Sequence, residues 1–513
     1  MVTMKKAAAI AALAAAALLP SGAQAAWRRA ETANFVVYSQ GSEAELRADA
    51  ALLEDYNAFL RLLTGIADPP PPTKLDVYEV RGHNALKLVR PDIAEDVAGF
   101  YTATGSGIAA FVDNGASQRG PEENQILLHE IAHHFMLQYR PSAYPPWYVE
   151  GFAEYVMTAT FEKDRIEFGQ ASTNRASWLM NASWLPLDQI LFQPPPRDGT
   201  ASALYYAESW LLVHYLLRDS ARKAKLVDYL TSTARGEAPK AAFQRIFAVD
   251  PKVMQKDMLD YGYKHMTYSR LKRQSATTPP AIAITQLPAS ADDLLLAQAA
   301  MEVGVSDEAV PALLARVRAA AAKNHDSYST RVLAEAEALY GDSAAADRLL
   351  DPLLAASPND AELLYWEGMR HLVAARRDDS AAAKEHKLAQ TWFVKAHKAD
   401  PDQFQTLARY AESLVGESRF LTENTTNVML LAHQLAPQVN EITMNAANML
   451  LMRGKYDEAA ALLTPLASSP HEPEMAAVAQ AMLARAKAKG APGAEPIVPP
   501  KLTPPPPLGP GKR

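Results

Sequence analysis

The sequence predicts an α+β amino-terminal part followed by an all-α solenoid, and three observations lead there. Up to about residue 275, short β-branched and aromatic runs alternate with helical spacings. From Ala291 to about residue 488, nearly every segment is Ala- and Leu-rich with helical periodicity. Between them lies a seam of turn formers, Ser275-Ala276-Thr277-Thr278-Pro279-Pro280 through to Pro288. At 513 residues, 49% hydrophobic and 21% charged, the chain is too long for one ordinary domain and too apolar to remain disordered.

The first element is not expected to belong to the fold. Lys5 and Lys6 precede an apolar run from Ala7 to Leu19, then Pro20 and the small-x-small triplet Ala23-Gln24-Ala25. That is the layout of a secretory signal, with cleavage expected near Ala25. The run of 13 apolar residues falls short of the roughly 20 that span a bilayer, so no transmembrane span is expected in the mature chain. The product would be exported, periplasmic or secreted.

Next, Asn34-Phe35-Val36-Val37-Tyr38 and Lys74-Leu75-Asp76-Val77-Tyr78-Glu79-Val80 read as strands. Glu43 to Leu63 has helical spacing and stops at Gly65, ahead of Pro69 to Pro72. Ile108 to Val112 is a third strand, leading into a helix from about Glu122. Pro194 to Pro196 marks a further loop, and 276–290 a linker.

Beyond the linker, Gly341-(four residues)-Ala346-(two)-Leu349-Leu350-Asp351-Pro352-Leu353 recurs as Gly454-(four)-Ala459-(two)-Leu462-Leu463-Thr464-Pro465-Leu466. Turn prolines Pro358, Pro401, Pro437 and Pro470 are 43, 36 and 33 residues apart, close to the 34-residue period of tetratricopeptide repeats. Residues 291–488 are therefore read as a tetratricopeptide-like solenoid, with an insertion around Ala374 to Lys384. Nine prolines from Pro492 onward, with Gly490, Gly493, Gly509 and Gly511, make 489–513 a disordered tail.

Composition excludes several functions. The net charge of −7, without a Lys/Arg block, argues against nucleic-acid binding. The absence of cysteine removes disulfides, thiol nucleophiles and thiolate metal sites, so any metal must rest on His, Asp and Glu.

Such residues stand together in His129-Glu130-Ile131-Ala132-His133. On a helix, positions four apart share a face, so His129 and His133 can hold one ion while Glu130 takes a proton from the attacking water. Ile126, Leu127, Leu128, Ile131 and Phe135 supply that helix with apolar surface to bury. A catalytic zinc ion takes three protein ligands and keeps the fourth position open. A His six residues after the second motif His is one source of the third ligand, but Tyr139 stands there. In Pro145-Pro146-Trp147-Tyr148-Val149-Glu150-Gly151-Phe152-Ala153-Glu154-Tyr155, prolines can open a helix that sets Glu150 and Glu154 on one face. Glu150 is the expected third ligand, and Glu154 would hold the outer ring N–H of a ligand histidine.

The run from His129 to Tyr155 resembles the gluzincin metallopeptidases, in which HExxH is followed on the next helix by a ligand Glu, often as W-x-x-E-G-x-A. Trp147, Glu150, Gly151 and Ala153 match, with sixteen residues between His133 and Glu150. Tyr206-Ala207-Glu208-Ser209-Trp210-Leu211-Leu212-Val213-His214-Tyr215-Leu216 is similar to the aminopeptidase N helix that begins with an oxyanion-stabilising tyrosine. The resemblance thus gives Tyr206 that role, with Tyr205 as its neighbouring alternative; His134 and His214 are read as structural. It further implies that the strand before the zinc helix, Gly107, Ile108, Ala109, Ala110 and Phe111, borders the cleft and pairs with an extended substrate. The G-x-M-E-N-type motif that takes a free amine in aminopeptidases is missing there, so endo- and exopeptidase action both stay open.

The expectation is an exported peptidase domain over 26–275, holding one Zn²⁺ and acting on a peptide or protein substrate, with repeats that recruit substrate or a protein partner. The rival expectation is an envelope scaffold whose zinc site is vestigial or structural and whose concave repeat face captures partners.

Overall fold

The computed structural model describes residues 26–67, 73–95, 97–114, 124–196, 199–264, 266–273, 280–469 and 472–488. The expected export signal, the proline-rich tail and Pro470 lie outside the described residues.

Strands β1 (Arg28–Glu31) and β2 (Phe35–Ser39) form a hairpin that leads into α1 (Glu43–Thr64). The Ser42 hydroxyl accepts from the Glu45 N–H while the Glu45 carboxylate accepts from the Ser42 N–H, and Gly65 ends the helix at φ +70°. Then come β3 (Leu75–Val80), α2 (His83–Val89), β4 (Gly99–Ala103), β5 (Ile108–Asp113), α3 (Gln125–Tyr139), α4 (Pro146–Val156), β6 (Thr160–Phe161) and β7 (Arg165–Phe168). A helical layer follows: α5 (Thr173–Asn181), α6 (Leu187–Phe192), α7 (Gly199–Arg218), α8 (Ser220–Ala234), α9 (Pro239–Phe247) and α10 (Pro251–Lys264). Strands β8 (Ser269–Lys272) and β9 (Ala283–Gln286) close this part of the chain.

The main sheet is mixed, in the order β4-β5-β3-β2-β1-β9, with β2, β3 and β5 parallel and the others antiparallel to their neighbours. A second sheet joins β6, β7 and β8. The expected linker therefore contains a strand: Ala283–Gln286 pairs with β1 and belongs to the sheet of the first domain. Its short, mostly exposed segment carries little apolar signal.

Alternate residues of β5 feed two cores. Ile108, Ala110 and Val112 join the cluster built with α1, α3, α4 and α7, whereas Ala109 and Phe111 join the cluster shared with α2. In the second cluster, Tyr78 and Phe100 stack on either side of Phe111, with ring centroids 4.8 and 4.7 Å away.

The remaining helices are α11 (Ala291–Val303), α12 (Val310–Lys323), α13 (Ser327–Leu339), α14 (Ser343–Ala356), α15 (Ala361–Arg377), α16 (Ala382–Ala399), α17 (Phe404–Glu412), α18 (Glu423–Leu435), α19 (Asn440–Met452), α20 (Tyr456–Leu466) and α21 (Pro473–Lys487). Each packs on the next, and α11 on α13, α13 on α15 and α19 on α21. Contact with the next helix and the next but one is the packing of stacked helical hairpins. The two copies of the internal sequence repeat are equivalent outer helices, α14 and α20. Pro358, Pro401 and Pro437 fall in the turns that pass from one hairpin to the next. The insertion around Ala374 is taken up by the length of α15 and α16, 17 and 18 residues.

The solenoid curls back onto the sheet. Helix α11 packs on β5 and α2, and Phe404, Leu407, Ile442 and Met449 of α17 and α19 join the first core. The turn between β4 and β5 reaches the inner helices: Thr104 Oγ1 donates to the Glu302 carbonyl at 2.7 Å, and Gln405 Nε2 to the Ser106 carbonyl at 3.2 Å. None of the described helices is long and apolar enough to cross a membrane.

Candidate metal centre

Helix α3 buries Leu127, Leu128, Ile131 and Phe135, which turns His129 and His133 toward α4 and α7. Ile126, expected among the buried residues, is 40% exposed. Helix α4 starts with Pro146 in its first turn, where the missing N–H costs no helical hydrogen bond. It crosses α7 at Gly151, where a Cβ would lie 2.3 Å from the Ser209 carbonyl oxygen. Only glycine permits that approach, which holds Glu150, beside Gly151, near Tyr206, one turn before Ser209.

The three expected ligands come together, with candidate ligand atoms all within 4.8 Å of one another. The two Nε2 atoms of His129 and His133 are 2.9 Å apart, and each is 3.5 Å from Glu150 Oε2. Tetrahedral zinc with bonds of about 2.0–2.1 Å sets neighbouring ligand atoms about 3.3–3.4 Å apart, so two imidazoles and a carboxylate suit that ion in chemistry, with the two 3.5 Å separations near its spacing and the 2.9 Å one shorter. Glu150 is 2% exposed. Burial disfavours charge on His129, but its hydrogen bond with Glu150 and the charges of Glu154 and Glu130 outweigh that and lift it to about 9. A cation is favoured at this place.

Glu154 stands behind the ligands, its Oε1 3.4 Å from His129 Nδ1. Arg175 of α5 grips the same carboxylate with two N–H groups, at 2.8 Å from Nε and 2.6 Å from an Nη. Sequence reasoning missed Arg175: it lies 21 residues from Glu154 in a helix without any buried residue. Tyr206 is half-buried, its ring 6.3 Å from that of His129, with the Arg175 guanidinium 5.4 Å from its centre. The negative charge of Glu150, followed by burial, pushes the Tyr206 phenol up, so it stays a hydrogen-bond donor. Tyr205 points into the core at 1% exposure. His134 and His214 are both buried: His134 Nδ1 lies 3.2 Å from the Tyr101 hydroxyl, and His214 meets the Gly169 carbonyl and the Tyr261 hydroxyl at 3.0 and 2.8 Å. Burial draws each of these two histidines down to about 4.

Glu130 and His133 open into a cavity of about 500 Å³. Here the structure corrects the expected substrate strand. Gly107 precedes β5, and Ile108, Ala109, Ala110 and Phe111 lie within it, paired on one side with β3 and on the other with β4. A strand covered on both faces and both edges reads as a continuous apolar run, and such a run does not show in sequence whether it lies inside a sheet or at a cleft border. Among the described residues the sheet edge on this side is β4, whose Tyr101, Thr102 and Ala103 line the cavity. The far wall, also unforeseen, belongs to the solenoid and includes His433, Gln438, Thr443 and Leu466.

No protein-family model matches the chain, and no curated protein matches it. Among solved structures, a thermophilic TPR protein of Thermus thermophilus, TTC0263, is similar over 38% of this chain and 100% of its own length. The identity is 16% and the TM-score 0.32. The helical-repeat description of α11 to α21 rests on their own packing.

Proposed function

We propose that the chain is a zinc metallopeptidase of the exported compartment, periplasmic or secreted, that hydrolyses peptide bonds in proteins or peptides lying across the cleft between β4 and the repeats. The observation that carries this reading is the convergence of His129, His133 and Glu150 within 4.8 Å, beside a cavity that also contains Glu130.

In this reading His129, His133 and Glu150 hold the ion, and Glu154 with Arg175 fixes the tautomer and direction of the His129 ring. Bound zinc supplies Lewis-acid polarisation of the scissile carbonyl and makes water acidic enough to attack at neutral pH. Glu130 accepts the proton of the attacking water and delivers it to the leaving amine. The Tyr206 hydroxyl donates to the carbonyl oxygen as negative charge grows on it. The outer edge of β4, which pairs with no further strand among the described residues, offers main-chain groups to an extended substrate.

The scaffold reading, with partners captured on the concave face, is weakened because the turn between β4 and β5 already occupies that side of α11 and α17. A quenched-fluorescence peptide library tests the choice. Cleavage that stops with chelator and returns with added zinc supports the peptidase. No cleavage by protein carrying one zinc per chain would count against it.

A further inference from the structure

The cavity that Glu130 and His133 line has an apolar wall drawn from distant parts of the chain. The first domain contributes Leu137, Tyr144 and Val149, and α20 of the solenoid contributes Ala461, Leu462 and Pro465. Ala461 is exposed and the other five are half-buried, so each keeps apolar surface open. The faces of α20 explain its part. Ala459 and Leu463 are fully buried in the core of the last repeat helices, which leaves Ala461 and Pro465, four residues apart on the opposite side, to the cavity. The wall begins at the metal centre: Leu137 stands one turn beyond His133 on α3, and Val149 directly precedes Glu150 on α4. Positions one helical turn apart have Cβ atoms about 5–6 Å apart, about the reach of a long side chain from a backbone held over Glu130. Beyond Glu130 and His133, the lining carries Arg90 and Glu472, of opposite sign, and His433, which burial draws down toward its neutral form. It offers no excess charge to a side chain, and much open apolar surface.

Resting on the peptidase reading, we propose that this wall is a side-chain pocket and that the substrate class is polypeptide with a bulky apolar residue beside the cleaved bond. Helix α20 supplies the far side of the pocket. The solenoid therefore takes part in selecting the cleaved sequence, as well as in recruiting the molecule that carries it.

The test separates the pocket from catalysis. Zinc-loaded full-length Glu130→Gln protein, with and without Ala461→Trp, is titrated with acetyl-Ala-Ala-Ala-X-Ala-Ala-Ala-amide, in which X is Phe, Ala or Asp. The Phe peptide should bind about 10-fold or more tighter than the Ala peptide, as for burial of one large apolar side chain, and Asp should bring no gain. In the Ala461→Trp protein the indole fills the pocket, and the advantage of Phe should disappear. Because Ala461 is exposed, the substitution disturbs no core and the melting temperature should be unchanged; if it is lower, Ala461→Leu is titrated in its place. Wild-type protein should cut the Phe peptide at a bond flanking Phe. No binding, equal affinity for the three peptides, the same Phe advantage in the folded variant, or cutting only at bonds remote from Phe overturns the proposal. A Phe advantage that Ala461→Trp removes, in a chain whose wild type cleaves nothing, upholds the pocket while the catalytic reading fails.

Discussion

Replacing Gly151 by alanine probes the contact that sets the spacing of the candidate metal centre. The new Cβ would sit 2.3 Å from the Ser209 carbonyl oxygen and 2.7 Å from Val213 Cγ2. Ordinary contact begins near 3.4 Å, and a helix carbonyl cannot rotate away, so α4 and α7 must separate by about 1 Å. Overpacking of this kind costs up to about 3 kcal/mol, and alanine's better helix propensity returns about 1 kcal/mol. A net loss of about 2 kcal/mol lowers the melting temperature of a domain of this size by about 4–8 °C. The shift also exceeds the roughly 0.2 Å tolerance of zinc–ligand distances, and Glu150 is the neighbouring residue, so zinc affinity should fall by about 10-fold or more. Gly262→Ala is the control: it faces the same helix through Leu211 but at an ordinary 3.4 Å, and should leave zinc binding unchanged and stability within about 1 kcal/mol. Thermal melts and chelator-competition titrations of the three proteins decide the matter. A Gly151→Ala protein as stable as the wild type and holding zinc as tightly would refute the helix contact as the determinant of the site.

Glu154→Gln should lower zinc affinity by about 10–100-fold without unfolding the chain, because His129 loses its charged partner; competition with a chelator reads this. Tyr206→Phe should cut kcat by about 100-fold with KM little changed, while Tyr205→Phe should leave kcat near wild type, as steady-state kinetics on a library-derived peptide will tell. Glu208 bonds the Leu185 N–H at 2.7 Å, and burial raises it from 4.5 to about 8. Between those values the unfolded chain has released this proton and the folded chain has kept it, so stability should fall as pH rises, by up to about 1.4 kcal/mol per unit. Urea midpoints at pH 5 and pH 8 should differ, and Glu208→Gln should reduce the difference.

The convergence of the candidate ligands was legible because the pattern is local: His129, Glu130 and His133 share a helix turn, and Glu150 follows a proline-opened helix start. The solenoid was legible through a repeated sequence block and its turn prolines. What escaped reading depends on partners far away in the chain. Arg175 is a lone arginine until α5 folds against α4. The pairing of β5 on both edges needs β4, a five-residue strand with little alternation. The assignment of 283–286 to the sheet needs β1 at the other end of the domain. The cavity wall around Gln438 exists only because the solenoid turns back onto the sheet, and hairpin periodicity carries no information about that return.

Catalysis by the Glu130 carboxylate at a zinc held by His129, His133 and Glu150 is the central claim. Its most direct measurement is peptide cleavage by wild-type and Glu130→Gln proteins, each shown by elemental analysis to carry one zinc per chain. The expected result is chelator-sensitive cleavage by the wild type and loss of at least about 100-fold in the variant at unchanged zinc content. Equal cleavage by the two zinc-loaded proteins, or none by the wild type, would contradict it.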